Sequence, residues 1–375
     1  MMITSNDMSL ISVIQQKSDT LATIEAAQSA GALFGAVIQA RGFISQSKKK
    51  LFSGFSISPS MEKIIMLAET RHSVGIIQKA IKASGIDLNT MGAVFTLPVA
   101  RTSMVEGSVD LRHGLAGNAL KEEVPLQKNL RLITCVCQKD KADTIARAAV
   151  DAGSTAPVIY FGEGQGVRDR MGLLRIAVNP EKEIVNVITG DMEAYHIFDS
   201  MVEAGKLYTP GMGFIYILDM PCGYVNLHST LSDSHTEATV EQMIKAIDDL
   251  KGTKNWRLSK EGFTSIKKPE RPSLYDLVNL RIITRRGLGD DFVNAALATG
   301  ARGATRYYAT IMGSEKLRSK TGMLINDERE VVDFHVSREM ADTLMTTFTG
   351  IVAETETMNT FILEIDVPKA LTYME

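Results

Sequence analysis

The chain has 375 residues, of which 45% are hydrophobic and 23% charged, a composition typical of folded globular proteins. A chain of this length is expected to form about two to three domains. Its 41 Lys and Arg residues against 44 Asp and Glu give a formal net charge of −3, whereas proteins that bind nucleic acid through phosphate contacts usually carry a basic excess, so we expect no nucleic-acid partner.

The first third of the chain alternates segments that are typical of strands and helices. Apolar and β-branched runs predict four strands, at 9–16, 33–42, 62–69 and 91–99. Apolar residues spaced three to four apart predict a helix between Asp19 and Gly31 and a second helix over 73–84 that ends at Gly85. The resulting order, β-α-β-β-α-β, is that of the ferredoxin-like split unit.

The same order is predicted twice more. The later strands are expected at 130–138, 157–161, 183–188 and 213–218, and then at 277–286, 305–311, 330–336 and 360–366. An Ala-Ala-x-x-x-Gly pattern ends at Gly31, Gly153 and Gly300, which lie 122 and 147 residues apart. A methionine precedes the last strand of each set with spacings of 121 and 146 residues. The agreement of these two landmarks indicates internal repeats.

These repeats predict the fold class: α+β, with three tandem ferredoxin-like (βαββαβ) units packed as a single-chain pseudo-trimer. The units are expected at 8–100, 129–220 and 277–370, with a linker at 101–128 and a helical insert or linker at 221–276. Each four-stranded sheet would bury its bare face against the other two around a threefold axis. The clefts between neighbouring units are then the expected ligand sites.

The second unit contains two glycine-rich loops. Gly162-Glu163-Gly164-Gln165-Gly166 follows a predicted strand, and Thr209-Pro210-Gly211-Met212-Gly213 leads into one. Glycines at such positions let the backbone approach a ligand and turn its N–H groups toward an anion, although plain hairpin turns use the same residues. A kinase-type P-loop is excluded because Gly-Lys-Ser/Thr does not follow, and a Rossmann fingerprint is disfavoured because the first loop leads into a strand.

These motifs, in their order, make the chain resemble the PII signal-transduction family, and more closely its PII-like branch. GARGAT at 300–305 looks like the motif that follows the first helix in that family. GEGQG at 162–166 is similar to the base of the family's long T-loop. The segments 181–185 and 209–218 are similar to its third strand and its B-loop. The resemblance extends over all three units.

The resemblance implies a ferredoxin-like, trimeric fold in which adenine nucleotides bind between subunits. The implied ligand here is ATP, ADP or AMP, with or without Mg²⁺, although some members of the family bind 2-oxoglutarate or other small metabolites. A protein partner, either an enzyme or a membrane transporter, is expected to contact the T-loop at 162–180 or the 221–276 insert.

The resemblance also suggests which residues contact the effector. The candidate nucleotide- or effector-binding residues are Gly153, Ser154, Thr155, Gly162, Gly164, Gln165, Gly166, Gly211, Met212, Gly213, Gly300, Arg302, Gly303 and Thr305. Phe214 stands where the B-loop of typical members has a basic residue. A phosphate would therefore need its charged contact from Arg168, Arg170, Arg302 or Lys316.

The predicted function is that of a regulatory small-molecule-sensing protein, with no catalytic residues and no metal ligands assigned. Two alternatives remain open. One is a nucleotide-processing enzyme on the same frame that uses Asp191 or His196, and the other is a structural or metal-binding trimer-like protein.

The expected location is the cytoplasm. The N-terminus lacks the charged and apolar segments of an export signal, and no apolar run reaches the roughly 18–20 residues of a membrane helix. Three cysteines are too few for a disulfide framework in a chain of this size. Cys135 and Cys137 share one face of a predicted strand and are expected to be buried thiols.

Overall fold

The computed structural model describes residues 2–17, 20–43, 59–88, 90–105, 123–166, 180–227, 273–312, 328–355 and 360–373. In these ranges the chain runs three times through strand, helix, strand, strand, helix, strand, and we call these the first, second and third pass. None of the helices in these ranges has both the length and the apolar character needed to cross a membrane.

Each pass has two helices and at least four strands. The first pass contains β1 (Met2–Ser5), β2 (Met8–Gln16), α1 (Thr20–Ser29), β3 (Gly35–Gly42), β4 (Ser60–Glu69), α2 (Ser73–Ser84), β5 (Gly92–Val99) and β6 (Arg101–Val105). The second contains β7 (Gln127–Gln138), α3 (Ala142–Asp151), β8 (Val158–Gly166), β9 (Glu181–Gly190), α4 (Ala194–Gly205) and β10 (Gly213–Asn226). The third contains β11 (Leu277–Arg285), α5 (Gly289–Thr299), β12 (Gly303–Met312), β13 (Glu328–Ser337), α6 (Arg338–Thr355), β14 (Phe361–Val367) and β15 (Lys369–Thr372).

Helix α2 shows how the local sequence determines an element. Its isoleucines and an alanine, Ile76, Ile77, Ala80 and Ile81, recur on one side of the helix and are buried. The helix ends at Gly85, whose φ of 68° is the left-handed conformation that glycine adopts without strain. Its bounds are those that the sequence predicts.

The strands form a single 15-stranded sheet, part of which closes on itself. Nine strands make the closed ring in the order β12-β3-β4-β2-β5-β10-β7-β9-β8, because β8 pairs in turn with β12. Strands β13, β11, β14, β6 and β1 continue the sheet from β12, and β15 pairs with β10. The architecture is a closed antiparallel β-barrel with additional strands.

Three strands from different passes meet at one place, which we call the three-strand junction. Strand β3 pairs with β12 through residues 35–37 and with β8 through residues 40–42. Strands β8 and β12 pair with each other through residues 163–166 and 303–306, and we call this pairing the β8–β12 seam. The strand that follows the first helix of each pass is therefore hydrogen-bonded to the corresponding strands of the other two passes.

The last strands of the passes are linked in a similar cycle. Strand β6 follows β5 and pairs with β14, while β15 follows β14 and pairs with β10. The end of β10, residues 223–226, pairs with β5. Each pass thus depends on the other two for backbone hydrogen bonds at both ends of its part of the sheet.

The predicted fold class, three tandem ferredoxin-like units packed as a single-chain pseudo-trimer, is therefore wrong. That prediction required three separate four-stranded sheets that touch only through side chains. The structure instead joins strands of different passes by backbone hydrogen bonds into one barrel. The physical reason is that an unpaired strand edge leaves backbone N–H and C=O groups without partners, and pairing the edges with one another satisfies them.

Several local expectations change for the same reason. The segment Gly162–Gly166, expected to be a loop, belongs to β8 and pairs with β9 and β12. Residues 101–105 of the expected linker form β6, and residues 221–226 of the expected insert belong to β10. Residues 127–128 of the expected linker begin β7, and residues 106–122 and 228–272 lie outside the described residues.

The barrel has a central core and three lateral cores. The central core draws buried residues from all three passes, among them Leu10, Tyr160, Tyr307 and Phe361. The lateral cores lie beneath the helix pairs α1/α2, α3/α4 and α5/α6. Because successive strand residues point to opposite faces, strands such as β2, β9 and β13 place one face in the central core and the other beneath a helix pair.

We expect the β8–β12 seam to contribute measurably to stability. A Cβ at Gly303 would lie 2.8 Å from the carbonyl oxygen of Gln165, so Gly303→Ala should lower the free energy of unfolding by about 1–3 kcal/mol. The matched control is Gly350→Ala in α6, where a Cβ meets no atom within 4 Å and should stabilise the helix by about 0.5–1 kcal/mol. Urea denaturation measures both. Equal stability of Gly303→Ala and the wild type would contradict the close strand pairing.

Candidate functional site

The structure brings together two of the segments that the sequence singled out. Across the β8–β12 seam, Gly166 lies opposite Gly303 and Gly164 lies opposite Thr305. Gln165 and Gly162 are in the same stretch of β8. The two segments are direct hydrogen-bonded neighbours rather than the opposite walls of an open cleft.

Close packing gives a reason for the glycines at this seam. A Cβ at Gly162 would lie 2.7 Å from the carbonyl oxygen of Arg306, and one at Gly303 would meet the carbonyl oxygen of Gln165. The lack of a side chain at Gly162 and Gly303 therefore allows the two strands to approach each other. The backbone N–H and C=O groups here take part in the hydrogen bonding of the sheet, so a ligand at this seam would have to be held by side chains.

The other predicted site residues lie in separate places. Gly153 has a φ of 97° just after α3, and the hydroxyl of the neighbouring Thr155 donates to the carbonyl of Ile188. Gly213 begins β10 opposite Cys137, and Gln138 donates to the carbonyl of Gly211 at 2.9 Å. Three more predicted residues are Ser154 next to Gly153, Met212 partly buried beside the lateral core beneath α3/α4, and Gly300 directly after α5 in the third pass. Arg302 is exposed, whereas Arg168, Arg170 and Lys316 lie outside the described residues.

Arg306 is the centre of an ionic network at the seam. Its guanidinium binds Glu163 at 2.7 Å and Asp290 at 2.9 Å, and Glu330 lies 3.9 Å away. Glu330 also accepts a hydrogen bond of 2.7 Å from the backbone N–H of Gly289 at the start of α5. The positive charge of Arg306 is thus used to hold carboxylates.

The same arrangement of a glutamate and a helix start occurs in the other passes. Glu183 accepts from the N–H of Ala142 at the start of α3 and pairs with Arg41, and Glu62 accepts from the hydroxyl of Thr20 at the start of α1. A carboxylate stabilises a helix N-terminus because the terminal N–H groups are unpaired and partly positive. Sequence reasoning missed these glutamates, although each lies near the start of the strand that precedes the second helix of its pass.

On the outside of the three-strand junction two large aromatic side chains are exposed. Phe161 is 59% exposed and Tyr308 is 38% exposed, and the register of the seam makes them the next same-side pair beyond Glu163 and Arg306. The guanidinium of Arg286 lies 5.0 Å from the centre of the Tyr308 ring, and the Tyr308 hydroxyl donates to Glu163. We call Phe161, Tyr308, Arg286 and Glu163 the junction patch.

The central core contains a second group of polar residues, which the sequence did not single out. On β11 and β13 the residues Ile282 and Val332 face the helices, whereas Arg281 and Asp333 face the central core. The Arg281 guanidinium binds both oxygens of Asp333, at 2.7 and 2.8 Å. The Tyr307 hydroxyl donates to Asp333 at 3.3 Å, so the carboxylate is fully engaged.

Lys63 is buried in the same region, with 3% of its surface exposed. Its Nζ lies 3.5 Å from the hydroxyl of Tyr160 and 5.0 Å from the centre of that ring. Burial and, secondly, the nearby Arg281 charge lower the pKa of Lys63 to about 7, although the Asp333 carboxylate opposes the shift. At neutral pH this amine therefore exists in both protonation states.

His335, which is partly exposed, adjoins these buried polar residues. Its ring lies 4.2 Å from the ring of Tyr216 and 4.6 Å from that of Phe214, and its Nε2 is 2.9 Å from Nδ2 of Asn279. Burial lowers the pKa of His335 to about 4, so the ring is neutral at pH 7 and its Nε2 accepts from Asn279. The charges of Arg281 and Asp333 cancel each other. Lys63 is then the group in this cluster whose charge changes near pH 7.

The corresponding positions of the other passes are not charged. Where the third pass pairs Arg281 with Asp333, the second pairs Thr134 with Asn186 and the first pairs Ser12 with Ile65. Replacing a buried ion pair by apolar residues is often neutral or stabilising, so stability alone gives no reason to keep these charges. Buried groups with strongly shifted pKa values are characteristic of functional sites. In the described part of the chain, no cluster of three or more His, Cys, Asp or Glu side chains is arranged to hold a metal ion.

Comparison with known proteins gives little guidance. No family model matches the chain, and no curated protein is similar to it. Among solved structures, a microcompartment protein from Desulfitobacterium hafniense DCB aligns with 57% of this chain and 95% of its own, at 12% identity and a TM-score of 0.18. A similarity this low carries no argument about fold or function.

The buried amine should leave a pH dependence on stability. The folded-state pKa of Lys63, about 7, is below its ordinary value of 10.5, so between these pH values the unfolded chain binds the extra proton. Stability should therefore rise with pH through this window, by up to about 1.4 kcal/mol per pH unit. The penalty for burying the charged amine is complete below pH 7 and absent above 10.5.

Lys63→Met removes this titration. In zwitterionic buffer of low ionic strength, we expect the variant to be more stable than the wild type at pH 7 and its advantage to shrink by about 1–3 kcal/mol by pH 9. Urea denaturation at pH 7, 8 and 9 measures the difference, with Lys79→Met on the exposed side of α2 as control. A constant difference between Lys63→Met and the wild type would show that Lys63 does not titrate in this range.

Proposed function

We propose that this protein is a regulatory protein that binds an adenine nucleotide, or a similar effector with an aromatic ring, at the junction patch. The observation that carries the proposal is the presence on one surface of two exposed rings, Phe161 and Tyr308, the second of which lies beside the guanidinium of Arg286. A nucleobase stacks on an aromatic face, and a phosphate group forms strong charge-assisted hydrogen bonds with a guanidinium. The patch offers both features on one surface.

Arg286 and Arg306 differ in their freedom to contact a phosphate. Arg286 pairs with Glu328 at 2.9 Å, and both side chains are about half exposed. Exposed ion pairs of this kind contribute only about 0–1 kcal/mol, so Arg286 can exchange Glu328 for a phosphate at little cost. Arg306 is 12% exposed and bound to two carboxylates, so its role in the proposal is to position the seam.

The ligand class is supported by the resemblance to PII-like proteins. The two motifs that carry this resemblance, at 162–166 and 300–305, overlap the two strands of the seam beside the patch. In this proposal side chains rather than glycine N–H groups contact the effector, because the backbone groups of these strands take part in the sheet.

We include the absence of chemical turnover in the proposal because the residues considered for catalysis are apart from the patch and otherwise engaged. Asp191 binds Arg131 at 2.6 Å. His196 is exposed on the first turn of α4, where its carbonyl accepts a hydrogen bond from Ser200. Among the described residues, neither the Asp191 carboxylate nor the His196 imidazole has a hydroxyl or thiol as its hydrogen-bond partner.

Signalling to an enzyme or a membrane transporter is the second part of the proposal. The segments expected to contact such a partner are 162–180 and 221–276, and most of both, residues 167–179 and 228–272, lies outside the described residues. We further propose a cytoplasmic location, which is supported by the free thiols of Cys135, Cys137 and Cys222.

Isothermal titration calorimetry with ATP, ADP and AMP, each with and without Mg²⁺, tests the proposal. We expect Tyr308→Ala to weaken the best nucleotide by about 5- to 100-fold, because stacking on an aromatic ring contributes about 1–3 kcal/mol per base. Tyr308→Phe keeps the ring and should retain most of the affinity. Arg286→Gln should weaken ATP more than AMP, because the contact is to phosphate.

Tyr195→Ala is the matched control, since Tyr195 is 50% exposed and lies beside a cation, Lys369, on a different surface. It should leave nucleotide affinity unchanged. Failure of all three nucleotides to bind at millimolar concentration would overturn the proposal, and binding that survives Tyr308→Ala would place the site elsewhere.

A further inference from the structure

The central core offers few hydrogen-bond acceptors to Lys63. The ammonium form of Lys63 has three N–H donors, and among the described residues only the Tyr160 hydroxyl accepts from it, at 3.5 Å. Nδ2 of Asn186 is buried without a hydrogen-bond partner, and so is the hydroxyl of Ser12. A buried donor without an acceptor is costly, and native proteins rarely leave several of them together.

These donors come from neighbouring positions of the barrel. The Asn186 amide lies close enough to the Tyr160 hydroxyl to oppose the rise in the pKa of that phenol that burial causes. Asn186 therefore adjoins the group that contacts Lys63. Ser12 on β2 lies opposite Ile65, two residues from Lys63 on β4 and on the same face of the sheet, about 7–8 Å away as a diagonal neighbour.

The charges lead to the same conclusion. The charged groups nearest to Lys63 are Arg281 and Asp333, which neutralise each other. His335 on β13 is neutral at pH 7. Tyr160, Tyr216 and Tyr307 are buried phenols whose pKa values are raised by burial, so they are neutral as well. Protonated Lys63 therefore leaves one positive charge without a counter-ion in the central core.

We propose that the central core binds one small monovalent anion, of the size of chloride, bromide or nitrate, with the Lys63 ammonium as its counter-ion and Asn186 and Ser12 as additional donors. The anion supplies the missing charge and accepts the hydrogen bonds that these side chains have available. The site is separate from the junction patch and does not depend on the function proposed for it. The anion must be small because the neighbours of Lys63 on the same face of β4, Met61 and Ile65, belong to the buried central core.

Anion binding is linked to protonation of Lys63. An anion that binds only the protonated amine raises the pKa of Lys63 and takes up a proton as it binds. Its affinity should therefore be constant well below the pKa of the anion-free protein and fall about tenfold for each pH unit above it.

The experiment replaces gluconate, an anion too large for a packed core, by chloride, bromide or nitrate at constant ionic strength. We expect the small anions to raise the thermal midpoint at pH 6 and the effect to disappear by pH 9. In crystals grown in bromide, an anomalous peak should lie next to Nζ of Lys63. No anion-specific stabilisation at pH 6, or a crystal with water only beside Lys63, would overturn the proposal.

Two variants separate this site from anions on the surface. Lys63→Met should abolish the effect, whereas Lys79→Met should retain it. Asn186→Asp introduces a carboxylate of nearly the same shape and should replace the anion, so the stabilisation by small anions should be lost in this variant also. Retention of the full effect in both Lys63→Met and Asn186→Asp would assign it to the surface. Should either variant fail to fold, the anomalous bromide peak in the wild type still shows whether an anion binds beside Lys63.

Discussion

The hydrogen bonds among β3, β8 and β12 are the constraint on which the rest of the structure depends. These strands come from three different passes, and each would leave an unpaired edge if the passes folded separately. Their mutual pairing closes the barrel and encloses a core to which every pass contributes. The approach of β8 and β12 requires glycine at 162 and 303, because a side chain at either position would meet a backbone oxygen of the partner strand.

Closure also allows the three passes to diverge in the centre. Because the three passes share one enclosed core, a polar residue in one pass need not be repeated at the corresponding positions of the other two. Arg281 and Asp333 face each other in the third pass, Thr134 and Asn186 in the second, and the partner of Ser12 in the first is apolar. The lateral cores beneath the helices are apolar in all three passes, which is the pattern expected where packing alone decides.

The sequence predicts the helices and most of the strands because each has its own hydrophobic period and its own stop signal, as at Gly85. Which edges pair is not encoded in these periods, so the sequence does not predict the closed barrel, and it predicts a loop where Gly162–Gly166 forms part of β8. Lys63 and Asp333 do not stand out in the sequence because each strand carries other polar residues, such as Glu62 beside Lys63 and His335 near Asp333. The available signal was their alternation: both share a face with core residues, where a charge is unexpected.

The two proposed sites meet at neighbouring residues of β8. Tyr160 points into the central core beside Lys63, and Phe161 points outward into the junction patch. A coupling between the sites would have to be reciprocal and would require β8 to adopt two arrangements. Strand β8 is hydrogen-bonded to β9 along one edge and to β3 and β12 along the other, so it has little freedom to move. The barrel therefore favours two sites that share a strand but bind independently, one sensitive to pH and the other not.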